Sequence, residues 1–257
     1  MRVAIIAIAK NEQLYIKEWL DYHINIGFDT IIVADNDDEL ILSGHSSDKV
    51  IIENYTGVER VQPKAYTELF NKYKNDYDWI AFFDIDEFLV LDGLSNVKDL
   101  LSGLDADEIR LNCKHFTDNN ELDVIDGNYN VFNRFKTEAN VYDLDRFLKS
   151  FINTRVVLEN KKCIYGHGLY ERKLKAVNVL NECIQADSFK SVEPIFVKAW
   201  FNHYRTKTIG EYIRQKYYRG GANANPKRYS EWEKYFFQTN VITDEKINYA
   251  NKLIVLP

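Results

Sequence analysis

The chain has 257 residues, 46% of them hydrophobic and 28% charged, with a formal net charge of −6. Such a composition supports a sizeable buried core and argues against nucleic acid as a partner, which calls for a basic footprint. Cys113, Cys163 and Cys183 are too few and too scattered for a disulfide framework or a zinc spacing, so a reducing cytoplasmic setting is expected.

Val3–Ala9 is a continuous apolar run, as in a strand buried on both faces. Arg2 and Ala7-Ile8-Ala9 faintly mimic a signal peptide, but the run is short and a helix is expected directly after it. Asn11 is suited to cap that helix, with Glu12 in its first turn and Ile16, Trp19, Leu20 and His23 on one face. Gly27 ends it. Strands are expected at Thr30–Ala34, Lys49–Ile52 and Trp79–Phe83, with a helix from Gln62 to about Tyr73. After about residue 113 the alternation fails. Asn130–Phe135, Ser150–Val157 and Ile195–Tyr204 read as strands, and Thr208–Tyr218 and Thr243 to about Ile254 as helices. No segment approaches membrane-spanning length.

Strand–helix alternation predicts an α/β fold with a mainly parallel sheet, whose ligands bind at the C-terminal strand ends. Three of those ends are polar: Asn11-Glu12, Asp35 to Asp38, and Asp84-Ile85-Asp86-Glu87. Two carboxylates one residue apart after an apolar strand repel unless a positive charge lies between them, and a divalent cation would serve. The bland alternative is a solvated Asp-rich turn. Asp35 suits ribose hydroxyls or a base N–H, or else merely shapes a loop. Among histidines, His203 ends an apolar strand and His167 lies between Gly166 and Gly168, so either suits a metal; His23 reads as a satisfied core residue, and His45 and His115 have no supporting context. From Arg205 to Lys234 the local charge is +5, and these basic residues, followed by Gly220-Gly221, suit a diphosphate or an anionic membrane surface; a solvated helix face is the plain reading.

Ala7-Ile8-Ala9-Lys10-Asn11-Glu12, Glu18 to His23, Asp29 to Asn36 and Asp78 to Phe88 together resemble the family 2-like and family 92 glycosyltransferases. Lys149 to Ile152, Tyr165 to Gly168 and Asn202 to Lys207 extend the resemblance, which spans positions 2 to about 222. It implies a GT-A (nucleotide-diphospho-sugar transferase) fold: a Rossmann-like sheet with helices on both faces, residues 1–112 taking the nucleotide sugar and 113–257 the acceptor. It also implies a nucleotide-sugar donor, usually a UDP-sugar, and Mn2+ or Mg2+ held by Asp84, Asp86 and His203. Asn11, Glu12 and Asp35 would hold the nucleoside, and Lys149, Lys207 and Lys216 the diphosphate. Inverting members need a general base, for which Glu171 and Asp118 are the candidates; Asn112 to Asn130 departs from the family pattern.

The expected activity is metal-dependent hexosyl transfer, with inversion, to a glycan or lipid-linked surface polymer, by a cytoplasmic protein that touches the membrane peripherally through its basic C-terminal stretch. Two rivals stand. A haloacid dehalogenase-type phosphatase also carries Asp-x-Asp after an apolar strand, although Phe88 stands where a small residue is expected. An inactive nucleotide- or carbohydrate-binding module would need no base at all.

Overall fold

The computed structural model describes residues 1–156, 164, 167–169, 174–185, 188–218 and 231–255. Strands β1 (Val3–Ala9), β2 (Thr30–Asp35), β3 (Val50–Asn54) and β4 (Trp79–Phe82) are parallel neighbours in the order β3-β2-β1-β4. Residues of β1, β2 and β4 are buried throughout, which is why their sequences are unbroken apolar runs.

Beyond β4 the sheet is mixed. β7 (Leu148–Asn153) joins β4 antiparallel, and β6 (Glu108–His115) joins β7 antiparallel. β9 (Ala199–His203) runs parallel to β6, and β5 (Glu87–Leu91) closes the order antiparallel to β9. The short β8 (Ala176–Val177) pairs with β6. This is the expected α/β architecture, with the parallel character concentrated in the first half.

Helices cover both faces. α1 (Ile16–Asn25) and α3 (Val97–Ser102) pack with Trp19, Phe83, Phe88, Phe151 and Phe201 on one side. α2 (Val61–Tyr73) covers the other through Tyr66, Leu69 and Phe70. Ile16, Trp19, Leu20 and His23 are buried as the 3.6-residue period requires. His23 is a core residue: Leu89 N–H donates to its Nε2 at 3.3 Å, Nδ1 lies 2.8 Å from the Trp19 carbonyl, and burial pushes the imidazole down to about 3.

Two local expectations fail. Asn11 does not cap α1. It takes a left-handed φ of 55° and donates its N–H to Asp37 Oδ1 at 2.6 Å, while the helix starts at Ile16. Asn130–Phe135 is not a strand but contains the one-turn helix α4 (Val131–Arg134). Val131 and Phe135, four apart, are both buried, and the Glu18 carboxylate accepts the N–H groups of Val131 and Phe132 at 2.7 and 3.2 Å. A second one-turn helix, α5 (Tyr142–Asp145), precedes β7.

At the C-terminal side Thr208 and Glu211 form a capping box that starts α6 (Ile209–Tyr212). The helix then widens into a π-helical turn, Ile213–Tyr217. It packs with α7 (Trp232–Phe236) and α8 (Asp244–Val255) around Tyr212, Ile213, Trp232 and Phe236. Among the described residues no helix is long and apolar enough to cross a membrane.

Candidate active site

β4 stops at Phe82, and the chain turns through Asp84 to re-enter the sheet at Glu87, the first residue of β5. The turn is closed by Glu87 N–H donating to the Asp84 carbonyl at 3.1 Å, and Trp19 Nε1–H clamps the Glu87 carbonyl at 2.7 Å. It brings carboxylate oxygens of Asp84, Asp86 and Glu87 within 4.8 Å of one another. Asp84 is the open member, 39% exposed at its side chain, and Glu87 the closed one at 0%.

Cations and imidazoles from distant segments surround these acids. Lys149 of β7 places Nζ 2.8 Å from both Asp84 Oδ2 and Glu87 Oε1. Lys216, on the π-helical turn, lies 2.8 Å from Asp86 Oδ2. His203 ends β9 directly opposite Glu87; its Nε2 is 3.5 Å from Asp86 Oδ1 and its Nδ1 3.5 Å from Glu87 Oε1. His167 Nε2 lies 3.3 Å from Asp84 Oδ2 and 3.2 Å from Gln62 Nε2. Lys207 is set back: it is buried, with Nζ 4.4 Å from the Tyr15 ring centre and 3.2 Å from Gln215 Oε1.

The electrostatics follow from this crowding. Burial pushes the Asp84 carboxyl up, but His167 and Lys149 more than offset it, and the group stays below its ordinary range. Asp86 is likewise raised by burial and drawn well below its range by Lys216 and His203. Glu87 goes the other way: burial, with the charges of Asp84 and Asp86, pushes it up to about 8 against the pull of Lys149. Burial drives His203 down to about 3, so its imidazole is neutral at physiological pH and has a nitrogen lone pair to offer. Burial lowers Lys207 as well, against the charges of Glu12 and Asp86.

These residues fit a divalent cation. Oxygen donors with one imidazole suit Mg2+ or Mn2+, and a third carboxyl that retains its proton marks a cluster short of positive charge. Glu87, Cys113 and His203 form an overlapping set, with Cys113 Sγ 3.8 Å from Glu87 Oε1 beneath the site.

The β1 and β2 ends lie beside this cluster. Asn11, Lys10, Asp37, Asp38, Glu39, Ile41 and Tyr218 line an open cleft of about 470 Å³. Glu12 is buried, its carboxylate 3.5 Å from Gln215 Nε2, which also donates to the Asn11 carbonyl at 3.1 Å. Asp35 is fully buried, and its two carboxylate oxygens accept the N–H groups of Asp37 and Leu42 at 3.2 and 2.9 Å; it shapes the loop and does not line the cleft. Asp118 is turned to other use: its carboxylate, 1% exposed, meets Lys246 Nζ at 2.6 Å and accepts the Asn120 N–H at 2.9 Å. Glu171 lies outside the described residues.

Gln215 and the pair His115–Asp145 belong to this neighbourhood without having stood out in sequence. His115 Nδ1 is 2.9 Å from Asp145 Oδ1, and its ring centre is 4.7 Å from that of His203. The one available signal was spacing: Gln215 precedes Lys216, and His115 ends a strand as His203 does.

Comparison with known proteins identifies the family. The family model described as glycosyltransferase family 92 matches residues 3–252. A family 92 protein of Oryza sativa subsp. japonica is 25% identical over 123 residues, covering 44% of this chain and 21% of that protein. One from Ricinus communis is 25% identical over 124 residues, covering 44% and 22%. The chain thus spans about a fifth of the length of these curated relatives. Among solved structures, S. aureus TarS 1-349 in complex with UDP-GlcNAc is 12% identical, with a TM-score of 0.49, over 99% of this chain and 72% of that one. The family match removes the dehalogenase-type phosphatase reading, and Phe88, 1% exposed in the aromatic core, stands where that enzyme class needs a small residue. With the strand-end acids and the sheet order in place, the match over residues 3–252 means that this chain belongs to glycosyltransferase family 92.

Proposed function

We propose that the chain transfers a hexose from a nucleotide sugar, a UDP-hexose, to a hydroxyl of a glycan or lipid-linked acceptor, in a metal-dependent reaction with inversion. The observation that carries the reading is that carboxylate oxygens of Asp84 and Asp86 lie within 4.8 Å of each other just beyond β4, with His203 against Asp86 and with Lys149 and Lys216 beside them. Asp84, Asp86 and His203 would hold Mn2+ or Mg2+. When bound, the cation supplies charge stabilisation for the leaving nucleoside diphosphate.

The chain's own groups divide the rest. Lys216 sits on Asp86, and its ammonium would donate hydrogen bonds to a phosphate oxygen of the donor. Lys207, in the Glu12–Gln215 neighbourhood, adds a second positive charge toward the diphosphate. The cleft of Asn11, Asp37, Asp38 and Tyr218 has the donors, acceptors and ring needed for a nucleoside. Asp35 contributes by holding that loop. The acceptor's proton is assigned to Glu171, four residues beyond His167, whose ring reaches Asp84.

The test is release of UDP from a panel of UDP-hexoses with Mn2+ or with excess EDTA, in the wild type and in Asp86→Ala. Release that needs Mn2+ and disappears in the variant supports the reading. Undiminished turnover in EDTA, or in Asp86→Ala, overturns it. Tight UDP binding without turnover on any acceptor would instead identify a binding module.

A further inference from the structure

We infer that Glu87 is a positioning residue and not a metal ligand: its carboxylate holds the Nδ1–H of His203, so that Nε2 faces the cation shared with Asp86. The inference rests on the metal-dependent reading above and specifies how that site is built.

The Glu87 carboxylate is fully buried and already engaged on both oxygens. Oε2 accepts the Asp84 N–H at 2.8 Å. Oε1 faces Lys149 Nζ at 2.8 Å, His203 Nδ1 at 3.5 Å and the Cys113 thiol at 3.8 Å. Every one of these four partners has a hydrogen to donate, so once Glu87 is ionised, as a neighbouring cation would favour, its two oxygens are occupied by protein donors. Asp84 and Asp86 also meet donors, namely Lys149, His167, His203 and Lys216, but Asp84 opens to solvent and Asp86 keeps a small exposed edge, whereas Glu87 has none.

His203 presents each ring nitrogen to a carboxylate at the same 3.5 Å. A neutral imidazole has one N–H to distribute between them. With the proton on Nε2, His203 would donate to Asp86 and offer nothing to a cation. With the proton on Nδ1, Glu87 takes the hydrogen bond, and Nε2 and Asp86 Oδ1 become adjacent donors to one ion. The backbone enforces this pairing. Glu87 and His203 are cross-strand partners in β5 and β9, and the Tyr204 N–H is bonded to the Asp86 carbonyl at 2.9 Å. The His115 ring, held by Asp145, packs against the His203 ring and limits its rotation. One carboxylate therefore sets the backbone of Asp84, the ammonium of Lys149 and the tautomer of His203.

The test is Mn2+ affinity, measured by calorimetry on the intact protein, for wild type, Glu87→Gln, His203→Ala and the double variant. Glu87→Gln is expected to weaken Mn2+ binding roughly 10- to 100-fold, the range for lost partners of metal-bound histidine. In the His203→Ala background it should add less than about twofold, because its effect passes through that ring. Unchanged affinity in Glu87→Gln, or a full additional loss on top of His203→Ala, makes Glu87 a bystander or a direct ligand and overturns the inference. A second readout needs no variant of Glu87. With 15N-histidine-labelled wild type saturated with Mg2+, and His203→Gln used to assign the signal, the His203 ring should be protonated on Nδ1. An Nε2-protonated ring at saturation overturns the inference while leaving the metal site standing. A wild type that binds neither ion overturns both.

Discussion

Lys216 and Asp86 stand 130 positions apart in the chain, and their side chains meet at 2.8 Å. The candidate cation site thus already contains a cation of its own, delivered by the π-helical turn after α6. Lys216 and a divalent ion compete for the same carboxylate, whereas Lys216 and a diphosphate attract. Lys216→Ala is therefore expected to bind Mn2+ more tightly in the absence of nucleotide, by about tenfold, the size of one charge-assisted hydrogen bond. The same variant should raise KM for the sugar nucleotide. Calorimetry and initial rates separate the two effects; weaker binding of the bare ion would contradict the competition.

The pH dependence of stability has a definite sign. In the metal-free protein Glu87 titrates at about 8, above the roughly 4.3 of an unfolded chain. The folded state then keeps a proton that the unfolded state has lost, so this contribution is complete below about pH 4 and declines as pH rises to 8. The buried histidines act oppositely. His23 and His203, both pushed down to about 3, add stability that is present above about 6.5 and lost as pH falls. Between about pH 6.5 and 8 only the Glu87 limb remains of these. Thermal melts in EDTA should show the transition temperature falling across that window. Glu87→Gln, or saturating Mn2+, should flatten the fall. A flat wild-type profile in EDTA would refute the assignment.

Asp118 gives a clean separation of stability from chemistry. Its pairing with Lys246, both side chains at most 2% exposed, ties the loop after β6 to α8. Lys246→Met leaves a buried carboxylate uncompensated and is expected to destabilise by about 3–5 kcal/mol. Asp118→Asn should lower stability while turnover per folded molecule is retained. Chemical denaturation alongside kcat decides it; loss of kcat with stability intact would restore Asp118 as a base.

Gly210 is set by sterics. A Cβ added there would lie 2.6 Å from the Asp123 carboxylate, which is pinned by Arg214 and by Tyr249 OH at 2.6 Å. Gly210→Ala should therefore cost about 1–3 kcal/mol, the range for overpacking. Adding Asp123→Ala should recover part of that loss, although it forfeits the Arg214 and Tyr249 contacts. Denaturation midpoints of the single and double variants check this.

Much of the fold was legible because burial on both faces writes itself as unbroken apolar sequence. Val3–Ala9 and Trp79–Phe82 are strands where their runs are, and Ile16, Trp19, Leu20 and His23 share a helix face. The errors fell where local signals were ambiguous. Asn11 has the chemistry of a cap but is taken up by Asp37 across the strand ends. Val131 to Phe135 fits either period, and the Glu18 carboxylate, 113 residues away in sequence, selects the helix.

By itself the sequence determined the alternating elements of the first half and the placement of Asp84, Asp86 and His203 at strand ends, because polarity at the end of an apolar run is a local pattern. Only the tertiary structure decided what surrounds them. Lys149, His167, His203 and Lys216 reach the same few ångströms from segments whose spacing carries no period. The same is true of the partners of Asp35 and Asp118: backbone N–H groups meet the first and Lys246 the second. Whether an acid is free to act depends on its partners in space, and the order of residues along a chain does not name those partners.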